Sequence, residues 1–92
     1  MTLSGQGTLL RIFLGERDMV HHRPVYETIV VRAREAGLAG ATVTRGVMGF
    51  GARSRMLHSA KVLRLSEDLP MIVDIVDTEA NVRNFLPTAE AI

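Results

Sequence analysis

Met71-Ile72-Val73-Asp74-Ile75-Val76 is the stretch that decides the fold. Successive side chains of a strand point to opposite faces, so Met71, Val73 and Ile75 share one face and Ile72, Asp74 and Val76 the other. Both faces are largely apolar, which predicts a strand covered on both sides, by helices on one and by a partner surface on the other. Asp74 interrupts the run. It reads either as a buried acid with a shifted pKa or as an edge position, with solvent or a partner's arginine, rather than catalysis, accounting for it.

Downstream, Asp77 or Thr78 can cap a helix whose first turn carries Glu79. Val82, Phe85, Leu86 and Ala89 form its apolar face, and Pro87 is expected to end or kink it. Upstream, Ser66 to Pro70 is a turn, Ser59 to Leu65 alternates weakly and can extend a strand, and Ala52 to His58 reads as a basic loop. Gly46-Val47-Met48-Gly49-Phe50-Gly51 is too glycine-rich to remain a regular strand, and it closes a β-branched strand over Ala41 to Met48. Gly37 supplies the stop of a helix that begins at Pro24 and buries Val25, Ile29 and Ala33 with Tyr26 and Val30. Before it lie a polar loop, Glu16 to Arg23, and a first strand, Leu9 to Leu14.

The resulting order is β-α-β-β-α in a single domain spanning residues 1–92. An α+β, ferredoxin-like sandwich runs β-α-β-β-α-β, so its final strand is missing from this chain. Either the chain is shortened before it, or another chain completes that edge, since a bare edge strand invites association.

Composition narrows the function classes. Of the 92 residues, 47% are hydrophobic but only 4% aromatic, so the apolar content is aliphatic and rich for a small monomer, which points to burial against another copy. The net charge of +1 gives no reason to expect nucleic acid. Base stacking on a ferredoxin-like sheet needs strand aromatics, of which this reading finds only Phe13. The absence of cysteine excludes disulfides, a thiolate nucleophile and a Cys-based zinc site. His21, His22 and His58 could suggest a metal, but adjacent histidines seldom aim at one ion. Ser54 and His58 share a loop without the spacing of a triad, so an enzyme is not expected. Met1 to Gly7 lacks a secretory pattern, and no apolar run approaches a membrane span, so a cytoplasmic protein is expected.

Charge is unevenly placed. From Arg45 to Arg64 the basic residues are Arg45, Arg53, Arg55, Lys61 and Arg64, with no acid among them. A segment of one sign is a place for an anion. Gly46, Gly49 and Gly51 can let backbone N–H groups approach a phosphate, or can mark a twisted strand end with a bulge. Arg53 and Arg55 offer paired guanidinium donors, with Lys61, Arg64 and Arg45 nearby; the alternative is ordinary surface charge.

Leu10-Arg11-Ile12-Phe13-Leu14-Gly15-Glu16, the run Ala33 to Val43, Arg45 to Gly51, Leu65-Ser66-Glu67-Asp68-Leu69-Pro70 and Ile75-Val76-Asp77 together resemble the uncharacterised family of short PII-like (GlnB-like) bacterial and archaeal proteins. The resemblance covers Leu9 to Pro87. True PII proteins are similar mainly at Thr42-Val43 and Gly49-Phe50-Gly51. The resemblance implies a homotrimer with a small anionic effector, an adenine nucleotide first among candidates, in intersubunit clefts. Arg45, Gly46, Gly49, Phe50, Gly51, Arg53, Arg55, Lys61 and Arg64 would line the site. It also implies a loop after the second strand that docks on a regulated partner such as a membrane transporter. The loop here is much shorter than in PII, its modified tyrosine has no counterpart, and the closing C-terminal segment is missing. Competing expectations are a trimeric metal-ion or ion-stress protein like the CutA group, which shares the fold, and an oligomeric scaffold without effector.

Overall fold

The computed structural model describes residues 6–51, 54–59 and 68–92. Three long strands form one antiparallel sheet in the order β1 (Thr8–Gly15), β7 (Pro70–Asp77), β4 (Gly40–Arg45). Two short hairpins stand apart, β2 (Met19–Val20) with β3 (Arg23–Pro24) and β5 (Met48–Gly51) with β6 (Ser54–Ser59). The helices are α1 (Val25–Glu35) and α2 (Glu79–Glu90). With the hairpins set aside, the main elements run β1-α1-β4-β7-α2, the expected β-α-β-β-α order. This arrangement is consistent with a small ferredoxin-like α+β fold. No helix among the described residues is long and apolar enough to cross a membrane.

β7 is the central strand and its alternation sets the layers. Val73 and Ile75 are fully buried and pack with Ile29 and Ala33 of α1 and Phe85 of α2. Leu10, Ile12 and Leu14 of β1 and Val43 of β4 complete this side of the sheet. The strand was expected to be covered on both faces. The helices cover one face as expected; the opposite face, the one expected to meet a partner surface, shows in the single chain Leu9 and Phe13, 52% and 71% exposed, with Val76 also exposed beside them. Asp74 is neither buried nor at an edge: it sits on this face of the central strand, paired with Arg11 of its own chain.

Local chemistry fixes the helix ends. α1 closes as a Schellman turn: Gly37 N–H donates to the Arg34 carbonyl at 3.0 Å and Leu38 N–H to the Ala33 carbonyl at 3.1 Å. Gly37 has φ +78°, a conformation that costs glycine little. α2 starts at Thr78, whose Oγ1 accepts the Asn81 N–H at 3.3 Å. Pro87 does not end α2, which continues to Glu90. It lies in the last turns, where it forfeits one backbone hydrogen bond while its own carbonyl still accepts Ala91 N–H at 3.1 Å.

Asp77 ties these ends together. Its fully buried carboxylate accepts Thr78 N–H at 2.6 Å, the Asn81 amide at 3.0 Å and Ala39 N–H at 2.8 Å. Those donors, Thr78 N–H foremost, hold its pKa below the ordinary carboxylate range against the opposing effect of burial. One side chain thereby joins the start of α2 to the loop that enters β4.

Two other expectations change. The second strand stops at Arg45 rather than Met48, because Gly46 turns the chain into β5. Ser54 to His58, expected within a basic loop, belong with Ser59 to β6, which pairs with β5. Phe50 therefore lies in a strand too, so Phe13 is not the sole strand aromatic.

Candidate functional site

The candidate site lies where β4 passes into the β5–β6 arm. Gly46 N–H donates to the Pro70 carbonyl at 2.6 Å. A Cβ at position 46 would lie 2.5 Å from Pro70 Cγ, and one at position 49 would lie 3.1 Å from the same atom. The proline ring therefore occupies the space next to both glycines, and close approach to Pro70 is what each position requires. The ladder shifts register between Gly49 and Gly51, the irregularity of a bulged strand end.

Arg45 directs its Nε to Glu16 Oε2 at 2.9 Å, so this cation already has a carboxylate. The pair is partly exposed, Arg45 more than Glu16, and surface pairs of this kind are worth about 0–1 kcal/mol, so an incoming anion could displace Glu16 at low cost. Beyond Arg45 the arm presents apolar side chains: Val47 and Phe50 are 74% and 73% exposed, with Met48 exposed between them. Gly51 ends β5 opposite Ser54. Arg55 belongs to β6 by its backbone, whereas Arg53, Lys61 and Arg64 lie outside the described residues.

The corner also includes residues outside the basic segment. Asp68 Oδ1 accepts Arg17 N–H at 2.7 Å, and the Leu69 carbonyl accepts Glu16 N–H at 2.8 Å. A Cβ at Gly15 would lie 2.5 Å from Asp68 Oδ2, so that glycine admits the carboxylate. Asp18 Oδ2 in turn accepts Gly15 N–H at 2.9 Å. Asp68-Leu69-Pro70 thus grips the turn after β1 on one side and the root of the arm on the other. Gly15-Glu16, Gly46, Gly49 and Asp68-Leu69-Pro70 come from separate stretches quoted above, and the fold brings them to one place. Their side chains or missing side chains build a joint. The groups exposed outward from it are Arg45, Val47, Met48 and Phe50.

The histidines are distributed differently. His21 and His22 form the tip of the β2–β3 hairpin with φ +48° and +65°. Among the described residues no three His, Asp or Glu side chains converge as metal ligands would.

Sheet, helices and arm define a small α+β domain with one naked sheet face and a projecting hairpin. The chain belongs to the DUF190 family, described as Uncharacterized ACR, COG1993, which matches residues 7–92. It is 38% identical over 78 residues to a UPF0166 protein of Aquifex aeolicus (strain VF5), covering 85% of this chain and 73% of that one. It is 35% identical over 79 residues to the UPF0166 protein MJ1524 of Methanocaldococcus jannaschii, covering 86% and 71% respectively. A further UPF0166 protein of Aquifex aeolicus is 31% identical over 78 residues, covering 85% and 74%.

Proposed function

We propose that this protein is a non-catalytic, cytoplasmic PII-like regulator. Three copies pack their open sheet faces together, a small anionic effector occupies the clefts between them, and the β5–β6 arm docks on a regulated partner. An adenine nucleotide is the first candidate effector and a membrane transporter a candidate partner. The supporting observation is the sheet itself: α1 and α2 pack on one face, while the other leaves Leu9, Phe13 and Val76 exposed around the Arg11–Asp74 ion pair, with Thr42 and Thr44 beside it on β4. Such a face favours association with a second sheet. The arm adds support, since its apolar side chains Val47, Met48 and Phe50 stand exposed at the start of the basic segment Arg45 to Arg64. Effector binding would act by favouring one arm position over another, to the extent of its differential affinity.

The test is a thermal-shift screen with ATP, ADP, AMP, cyclic dinucleotides, S-adenosylmethionine, bicarbonate and divalent metals, run beside light scattering. A ligand at about 100 times its Kd adds roughly 2.7 kcal/mol and raises the melting temperature clearly. A rise with one nucleotide, lost in the double variant Arg53→Ala, Arg55→Ala, supports the regulator. A response to metal alone favours the CutA-like reading, and silence on a stable oligomer favours the scaffold.

A further inference from the structure

His21 and His22 join two strands of two residues each, with Val20 opposite Arg23 and Met19 opposite Pro24. Both histidines are left-handed, the combination that a two-residue hairpin turn needs and that Asn-Gly usually fills. Histidine tolerates this region better than most residues, yet glycine would hold it with less strain. His21 lines an open groove of about 480 Å³ between the hairpin and the two helices. Thr28 and Arg32, one turn apart on α1, form a second wall, and Thr88 a third. Val20, Pro87, Ala91 and Ile92 supply the apolar lining.

The volume falls in the range of small-molecule sites. No carboxylate side chain lines the groove, and Arg32 makes no ion pair among the described residues. The Thr28 hydroxyl donates to the Pro24 carbonyl at 3.3 Å, which leaves Arg32, His21 and Thr88 as the donors. None of these residues belongs to the β4–β5 corner.

We propose that this groove binds a small organic anion, with Arg32 and His21 taking a phosphate or carboxylate and the apolar wall taking the body of the molecule. A guanidinium beside a second nitrogen donor suits an oxyanion, and the apolar wall gains from covering a hydrophobic group. The site stands whether or not the arm serves a regulatory role.

The probe is phenyl phosphate, titrated into the full chain and followed through backbone amide shifts by NMR, with inorganic phosphate and phenol in parallel. Saturable shifts are expected at Val20 to Arg23, Arg32 and Thr88, with weaker binding of inorganic phosphate and none of phenol. Arg32→Ala should weaken phenyl phosphate about tenfold. His21→Gly removes the imidazole but suits the turn, so its melting temperature should hold or rise while affinity falls by a similar factor. Phosphate would distinguish itself from carboxylate as the preferred group when benzoate is titrated beside phenyl phosphate. Absence of saturable binding by both, shifts centred elsewhere, equal affinity for inorganic phosphate, or undiminished binding in both variants would overturn the proposal.

Discussion

Arg11 and Asp74 meet side by side across two strands, Nε to Oδ1 at 2.8 Å and Nη2 to Oδ2 at 3.1 Å, in the middle of the sheet face opposite α1 and α2. Hydrogen bonding from Arg11 holds the Asp74 carboxyl below its usual range, and the guanidinium is held correspondingly above its own. Leu9 and Phe13 flank Arg11 along β1, and Ile72 and Val76 flank Asp74 along β7. The register adds Thr42, opposite Asp74, and Thr44, opposite Ile72, to this face, so apolar side chains of β1 and β7 surround the Arg11–Asp74 pair while β4 contributes hydroxyls, a pattern that can fix how a second sheet seats on it.

If copies associate through this face, Phe13→Asp should break the assembly. Light scattering should fall from a multiple of the chain mass to about the 10.1 kDa of one chain, with the helical circular-dichroism signal kept. A wild-type protein that already scatters as one chain would remove the proposed trimer.

Asp77 should make stability depend on acidity. Its pKa is lowered on folding, so its contribution is fully present above the ordinary carboxylate value of 3.8 and is lost as pH falls through the lower folded value. Asp77→Asn should lower the melting temperature at pH 7, and the gap to wild type should narrow below about pH 4. A gap that stays constant to pH 2 would refute this role.

Gly37 and Gly40 make a controlled pair. A Cβ meets nothing within 4 Å at either position, but only Gly37 has a positive φ. Gly37→Ala should cost about 1–2 kcal/mol, a drop of roughly 4–8 °C per kcal/mol, while Gly40→Ala should leave the melting temperature nearly unchanged. Equal effects from the two substitutions would show that backbone handedness is not what matters at position 37.

Gly46→Ala places a methyl where Pro70 sits and should loosen the arm. Amide exchange in β5 and β6 is expected to rise while exchange in β7 stays slow. Ile75→Ala supplies the contrast: emptying that buried position should cost about 2–5 kcal/mol and lower global stability. Uniform faster exchange in Gly46→Ala would mean that arm and body unfold as one unit.

Periodicity made the central architecture legible. The alternation of Met71 to Val76 and the i, i+4 stripe of Val25, Ile29 and Ala33 depend on local pattern, and Gly37 marked the end of α1 correctly. The misses involve partners distant in the chain. Arg11 and Asp74 are 63 residues apart, and Ala39 and Asp77 are 38 apart, so register had to be known before either pair could be seen. β6 was hidden because Ser54, Arg55, His58 and Ser59 surround an adjacent Met56-Leu57 pair that shows no strand alternation, and its pairing with β5 supplies the order. The His21-His22 turn carries no Asn or Gly to announce it. At the candidate site, the glycines and Arg45 were readable as types, but Pro70 and Glu16 as their neighbours were not. The Asp68-Leu69-Pro70 segment was the available signal.

Pro70 is also a mechanical fulcrum. The arm bears on its ring and hangs from its carbonyl, while the residue before it, Leu69, holds the turn that leads through Asp18 into α1. A push on the exposed Val47, Met48 or Phe50 would reach the body through this bearing, and a displacement of the β1 turn would bear on the arm in return. In such a joint the distance from Pro70 to the point pushed, as in any lever, would set how far a small movement is magnified at the surface.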